Sequence, residues 1–173
     1  VVGFLEGNLT VVNGTISAFT EQTASTVYTA TITADADGEV TVDVLADEVT
    51  DAATNGNTAS NQLSIVYDST SPYILTLSPA DGETNAPINA NLVITFDENV
   101  SIGTGFIRIF DGLGTSIENI DVESVNVTGE GTATITADPI SDFLGESDYY
   151  VQIDATAFTD LVGNPFAGIA DNT

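Results

Sequence analysis

The chain has 173 residues, 42% of them hydrophobic, with 26 acidic residues against a single base, Arg108, for a net charge of −25. That charge repels nucleic acid and anionic membranes, so neither is an expected partner, and it creates a self-repulsion that salt or divalent cations relieve. Without Cys there are no disulfides or thiolate metal sites; without Lys there are no Lys–Asn isopeptide crosslinks; without His, Cys or Lys the usual nucleophile–base pairs cannot be assembled.

Taken in chain order, the segments read as strands. The heptapeptide TATITAD at 29–35 opens the series, and Val40, Val42 and Val44 then alternate with Thr41 and Asp43. Leu63, Ile65 and Tyr67 alternate with Ser64 and Val66, and Leu92, Ile94 and Phe96 with Val93 and Thr95. TATITAD returns at 132–138, and Tyr149, Val151 and Ile153 close the run. Period-two patterns rich in Val, Ile, Thr and aromatics are the β signal. Turn clusters such as Ala36-Asp37-Gly38, Asn55-Gly56-Asn57 and Ala80-Asp81-Gly82 separate them, and no 3.6-residue period appears. The chain is all-β, of the sandwich type. It holds no apolar run of about 18 residues, so no segment reads as membrane-spanning. Residue 1 is not Met, and the chain reads as part of something longer.

The exact repeat is an alignment anchor. Upstream, Val2-Gly3-Phe4 through Val12-Asn13-Gly14 parallels Ser101-Ile102-Gly103 through Phe110-Asp111-Gly112. Downstream, Val40-Thr41-Val42 meets Tyr149-Tyr150-Val151, Val49-Thr50-Asp51 meets Phe158-Thr159-Asp160, and Asn55 meets Asn164. Two modules follow, 1–71 and 72–173, joined near Asp68-Ser69-Thr70-Ser71-Pro72. Residues 72–99 have no counterpart before Val1, and the strand at 61–67 has none after Thr173. The first module thus lacks its opening strands and the second its last. Open β edges of this kind are templates for pairing, either with neighbouring repeats or with identical chains.

Three stretches carry a family resemblance: Ser78-Pro79-Ala80-Asp81-Gly82, Ile94-Thr95-Phe96-Asp97-Glu98-Asn99-Val100, and Asp160-Leu161-Val162-Gly163-Asn164-Pro165. They resemble bacterial immunoglobulin-like repeats of S-layer proteins, large repetitive adhesins and secreted polysaccharide-active proteins. The first module resembles the related adhesin-type repeat through Asn13-Gly14-Thr15, Asp51-Ala52-Ala53-Thr54-Asn55-Gly56-Asn57 and Val66-Tyr67-Asp68-Ser69-Thr70. The resemblance implies tandem immunoglobulin-like sandwiches on a bacterial surface or in an extracellular fibre. Thr54 stands where the second module has Gly163, which sets a shared turn conformation in question.

Calcium is the expected cofactor, since Ca²⁺ takes six to eight oxygens from carboxylates, amides, carbonyls and water. Asp160 and Asn164 are spaced to wrap one turn, with Glu98 at the end of a strand beside them. Asp51 and Asn55 repeat the spacing in the first module, and Asp68 and Asp81 flank the junction, where an ion would stiffen the hinge. The competing reading makes the same Asp and Asn residues turn formers that satisfy backbone groups, and no EF-hand spacing is present. The Thr rows 29-31-33 and 132-134-136 read as the solvent side of a half-buried strand, with Ile32 and Ile135 inward. A hydroxyl face for ice or glycan is the sharper alternative. Adjacent Tyr149 and Tyr150 face opposite sides, which makes one a core residue and the other exposed. Scattered acids give no privileged pair for glycosidase chemistry. The expectation is a non-enzymatic structural spacer. A glycan- or host-binding module, or an accessory domain of a polysaccharide-active protein, stands as the alternative, and strand donation between chains as a third possibility.

Overall fold

The computed structural model describes residues 1–24 and 26–171. Its contacts divide the chain into two compact units, Val1–Ser69 and Thr70–Thr173.

Unit 1 contains β1 (Thr10–Val12), β2 (Gly14–Thr23), β3 (Val27–Ala34), β4 (Gly38–Asp43) and β5 (Leu63–Tyr67). An antiparallel sheet runs β1-β4-β5, with Val40 opposite Ile65 and Val42 opposite Leu63. Val44 falls just beyond β4, so the period-two run is one residue shorter than the sequence suggests. A long hairpin joins β2 to β3, broken by irregularities between Ile16 and Ala18 and between Glu21 and Thr23. Phe4, Phe19 and Tyr28 cluster, with ring centroids 4.8 to 5.8 Å apart. Among the described residues of this unit, Val49 is the one buried apolar side chain. On β5, Leu63, Ile65 and Val66 are 57%, 58% and 70% exposed.

Unit 2 contains β6 (Ile74–Ser78), β7 (Leu92–Ile102), β8 (Phe106–Asp111), β9 (Ser116–Asp121), β10 (Val127–Thr128), β11 (Thr132–Ala137), β12 (Tyr149–Ile153) and β13 (Phe158–Asp160). One sheet runs β10-β11-β7-β13 with β6 also on β7, and the other runs β12-β8-β9. The eleven residues of β7 are long enough to carry β6 along Val93–Phe96 and β13 along Val100–Ile102. Alternation sends Ile94 and Phe96 inward from β7 and Ile107 and Ile109 from β8, while Arg108 between them faces out. Ile120, Ile135, Ile153, Phe158 and Phe166 complete a core drawn from both sheets, each such side chain contributing about 1.5–3 kcal/mol on burial. Phe96 lies edge-on to both Phe158 and Phe166, at 5.4 and 5.3 Å. This unit is a filled β-sandwich.

The two copies of TATITAD form β3 and β11, with Ile135 fully buried and Ile32 half-buried. Thr29, Thr31, Thr33, Thr132 and Thr134 are exposed, whereas Thr136 is half-covered. Tyr149 and Tyr150 do point oppositely, yet neither is exposed. Tyr149 packs on Phe143 and its hydroxyl accepts the Leu144 N–H at 2.8 Å, while Tyr150 stacks on Phe110 at 5.0 Å.

Candidate functional site

The acid that closes β13 organises the loop behind it. Oδ1 of Asp160 accepts the backbone N–H groups of Val162, Gly163 and Asn164 at 2.9, 2.6 and 2.8 Å. Oδ2 accepts the Asn164 side-chain amide at 2.6 Å, and the Asp160 N–H donates back to the Asn164 carbonyl at 3.0 Å. An Asp four residues ahead of an Asn folds this way because its carboxylate supplies acceptors that the turn's own carbonyls cannot. Asp160 is 2% exposed. Burial pushes its carboxyl upward, but the donated hydrogen bonds, led by the Asn164 side chain, outweigh that and hold it below the usual carboxylate range.

Asp51 and Asn55 build the same loop in unit 1. Asp51 Oδ1 accepts from the N–H groups of Ala53 and Asn55, and Oδ2 from the Asn55 amide at 2.9 Å. The Asn55 side-chain hydrogen bond, followed by the backbone ones, lowers the Asp51 carboxyl. Thr54 has φ 68° and Gly163 φ 105°. The turn therefore keeps a left-handed residue in both units, although the first supplies a β-branched side chain for it.

Two of the expected ligands converge in unit 2. Glu98 is half-buried on β7, Asp160 pairs opposite Val100 of the same strand, and the two carboxylates bring oxygens within 4.8 Å of each other. Two oxygens bound to one Ca²⁺ at about 2.3–2.6 Å can be separated by at most about 5 Å, so the spacing fits a shared ion. Oδ2 of Asp160 accepts one hydrogen bond, from Asn164, and has a lone pair left for a cation. The Asn164 amide also donates to the Thr70 carbonyl at 3.3 Å. Asp68 is half-buried near the end of unit 1, two residues before Thr70, so covalent geometry keeps its Cα within about 7 Å of the Thr70 Cα. Asp81 is exposed in the turn after β6, on the rim of a cleft of about 560 Å³ shared with Glu83, Glu146 and Asp148, and is not part of the Glu98 cluster.

The donor set is entirely hard oxygen, the chemistry of Ca²⁺, Mg²⁺ or Mn²⁺ rather than of a thiolate- or imidazole-bound metal. Two polar features escape sequence reading. Asp111 repeats the Asx loop by accepting from Leu113 and Thr115, without an Asn. Asp154 receives both Arg108 Nη atoms and the Phe106 N–H, and its carboxyl is lowered chiefly by Arg108. Asp-Gly-Leu-Gly-Thr foreshadows the first; nothing in the sequence selects Asp154 from the other acids.

The model of a bacterial Ig-like domain matches residues 68–172, and a second model of a bacterial Ig-like domain matches residues 1–67. The chain belongs to the bacterial Ig-like domains. Domains of this family are typically non-catalytic structural modules, commonly extracellular or on the cell surface. No curated protein and no solved structure matches the chain. Among the described residues no helix is long and apolar enough to cross a membrane.

Proposed function

We propose that these tandem Ig-like domains are a spacer of a bacterial surface protein, adhesin stalk or extracellular fibre, stiffened by calcium at the start of the second domain. The observation that carries the metal reading is the approach of Glu98 and Asp160 on adjacent strands of a chain with net charge −25. Glu98 and Asp160 form the carboxylate pair, and both fall inside the 68–172 match. Calcium supplies positive charge where close carboxylates otherwise repel, and it ties β7 to β13. The spacer role follows from how the residues are used: the polar loops of Asp51, Asp111 and Asp160 secure turns, and the apolar residues of unit 2 fill a core.

Thermal melting at matched ionic strength tests the metal. Added Ca²⁺ should raise the melting temperature of unit 2 by several degrees, because a ligand at about 100 times its Kd stabilises by about 2.7 kcal/mol. Chelator should reverse the gain, and Glu98→Gln should remove the response to calcium. Melting that ignores both chelator and calcium sinks the proposal, as does an equal response in Glu98→Gln.

A further inference from the structure

The two Asp–Asn loops differ at the residue that follows the Asn. Each Asp donates its N–H to the carbonyl of its Asn at 3.0 Å, and Thr50 bridges to Gly56 as Thr159 bridges to Pro165. Gly56 and Pro165 therefore hold one place in the fold. A Cβ at position 56 would lie 2.0 Å from Asp47 Oδ1, so any larger residue there has to displace that side chain. Asn55 and Gly56 are both exposed, whereas Asn164 is half-buried.

That difference decides one reaction. The backbone nitrogen after an asparagine attacks the side-chain Cγ, and the new N–Cγ bond closes a five-membered succinimide. The Cγ–Nδ2 bond breaks, and the nitrogen leaves as ammonia with the proton of the attacking N–H. Water then adds to either ring carbonyl, leaving aspartate or its backbone-extended isomer, isoaspartate. Glycine favours the closure because it has no Cβ to crowd the approach. Proline prevents it, since its nitrogen carries no proton. Only Asn13 and Asn55 precede glycine in this chain. Asn13 and Gly14 are half-buried, Gly14 begins β2, and the Asn13 amide donates to the Ala36 carbonyl at 2.9 Å.

We propose that Asn55-Gly56 is a self-modifying site at which unit 1 acquires a new carboxylate and loses its Asp51 loop. In the unmodified chain Asp51 restrains the reaction, because its Oδ2 holds the Asn55 amide that has to leave and its Oδ1 holds the Asn55 N–H. Both bonds are exposed, so water competes for them and the loop opens locally. After conversion, a carboxylate that cannot donate faces Asp51, and the two like charges repel. The change is covalent and one-way, and it falls on unit 1 alone because Pro165 closes the same route in unit 2.

The test ages the 173-residue chain in mildly alkaline buffer below its melting range and maps it by mass spectrometry, with isoaspartate methyltransferase labelling. Position 55 should convert from amide to acid ahead of position 13, with both isomers present, while Asn164 stays intact. Asp51→Ala should speed conversion at 55 by about two- to tenfold, the release expected from one exposed hydrogen bond. Asn55→Asp, which carries the charge from the start, should melt unit 1 at a lower temperature than wild type and leave unit 2 unchanged. An Asn55 still intact when Asn13 has converted overturns the proposal, and the wild-type map decides this even where Asp51→Ala does not fold. Conversion of Asn164 at the same rate also overturns it, since that would be hydrolysis without ring closure. So do an unchanged rate in a folded Asp51→Ala chain and an Asn55→Asp chain that melts like wild type.

Discussion

The side chain of Asn164 donates to Asp160 across 2.6 Å, and that of Asn55 donates to Asp51 across 2.9 Å, yet the first pair hangs on an acid that is 2% exposed and the second on an exposed one. Equal hydrogen bonds are not of equal worth when water can replace only one set. Asp160→Ala leaves three N–H groups of a partly buried turn without their acceptor and should destabilise unit 2 by about 3 kcal/mol or more. Asp51→Ala should lower the melting temperature of unit 1 far less. Denaturant melts of the two variants check this, and equal losses would mean that burial does not set the value of the loop.

Acid should reveal the same carboxylate. The folded pKa of Asp160 is depressed, so its stabilisation is complete above the unfolded value of about 4 and is lost as pH falls through the lower folded value. The melting-temperature gap between the wild-type chain and Asp160→Asn should be constant from about pH 7 to 5 and narrow below about pH 4. Using the gap removes the opposite, chain-wide effect, in which protonation relieves the repulsion among 26 acids. A gap that stays constant to about pH 3 would show that the charge on Asp160 contributes nothing.

Thr54 carries a left-handed φ of 68°, where its counterpart Gly163, at φ 105°, has no Cβ to strain. Holding a β-branched residue there costs about 1–2 kcal/mol, and glycine returns part of that through the greater freedom of the unfolded chain. Thr54→Gly should therefore raise the melting temperature of unit 1 modestly, by about 0.5–1 kcal/mol of stability. Gly163→Ala should cost unit 2 about 1 kcal/mol through φ alone, because no atom lies within 4 Å of the added Cβ. A destabilised Thr54→Gly would show that the Thr side chain gives back more than its backbone costs.

The strands were legible because period two survives in any half-buried sheet: Ile94 and Phe96, or Ile107 and Ile109, declare their inward face by spacing alone. The Asp–Asn pairs were visible but ambiguous, since a carboxylate that accepts N–H groups and one that binds a cation present the same residue at the same spacing. Only the bonds made by Asp160 Oδ1, three of them, show how much of its capacity the turn consumes. Parity placed Tyr149 and Tyr150 on opposite faces but was blind to Phe143 and Phe110, which cover one each. The Arg108–Asp154 pair was illegible for a plainer reason: register across β8 and the end of β12, not sequence distance, brings them together.

The unequal cores lead to the last prediction. Unit 2 encloses Phe96 at 1% exposure against Phe158 and Phe166, while unit 1 buries Val49 at 7% and leaves Leu63 and Ile65 more than half exposed. Apolar burial is the largest favourable contribution to folding, so unit 1 should melt first and calorimetry should resolve two transitions. Phe96→Ala removes a ring from a packed site, costs about 3–5 kcal/mol, and should lower only the upper transition. Val49→Ala should lower only the lower one. A single transition that shifts with both substitutions would mean that the units unfold as one, and the weakness of unit 1 would then not lie in its open core.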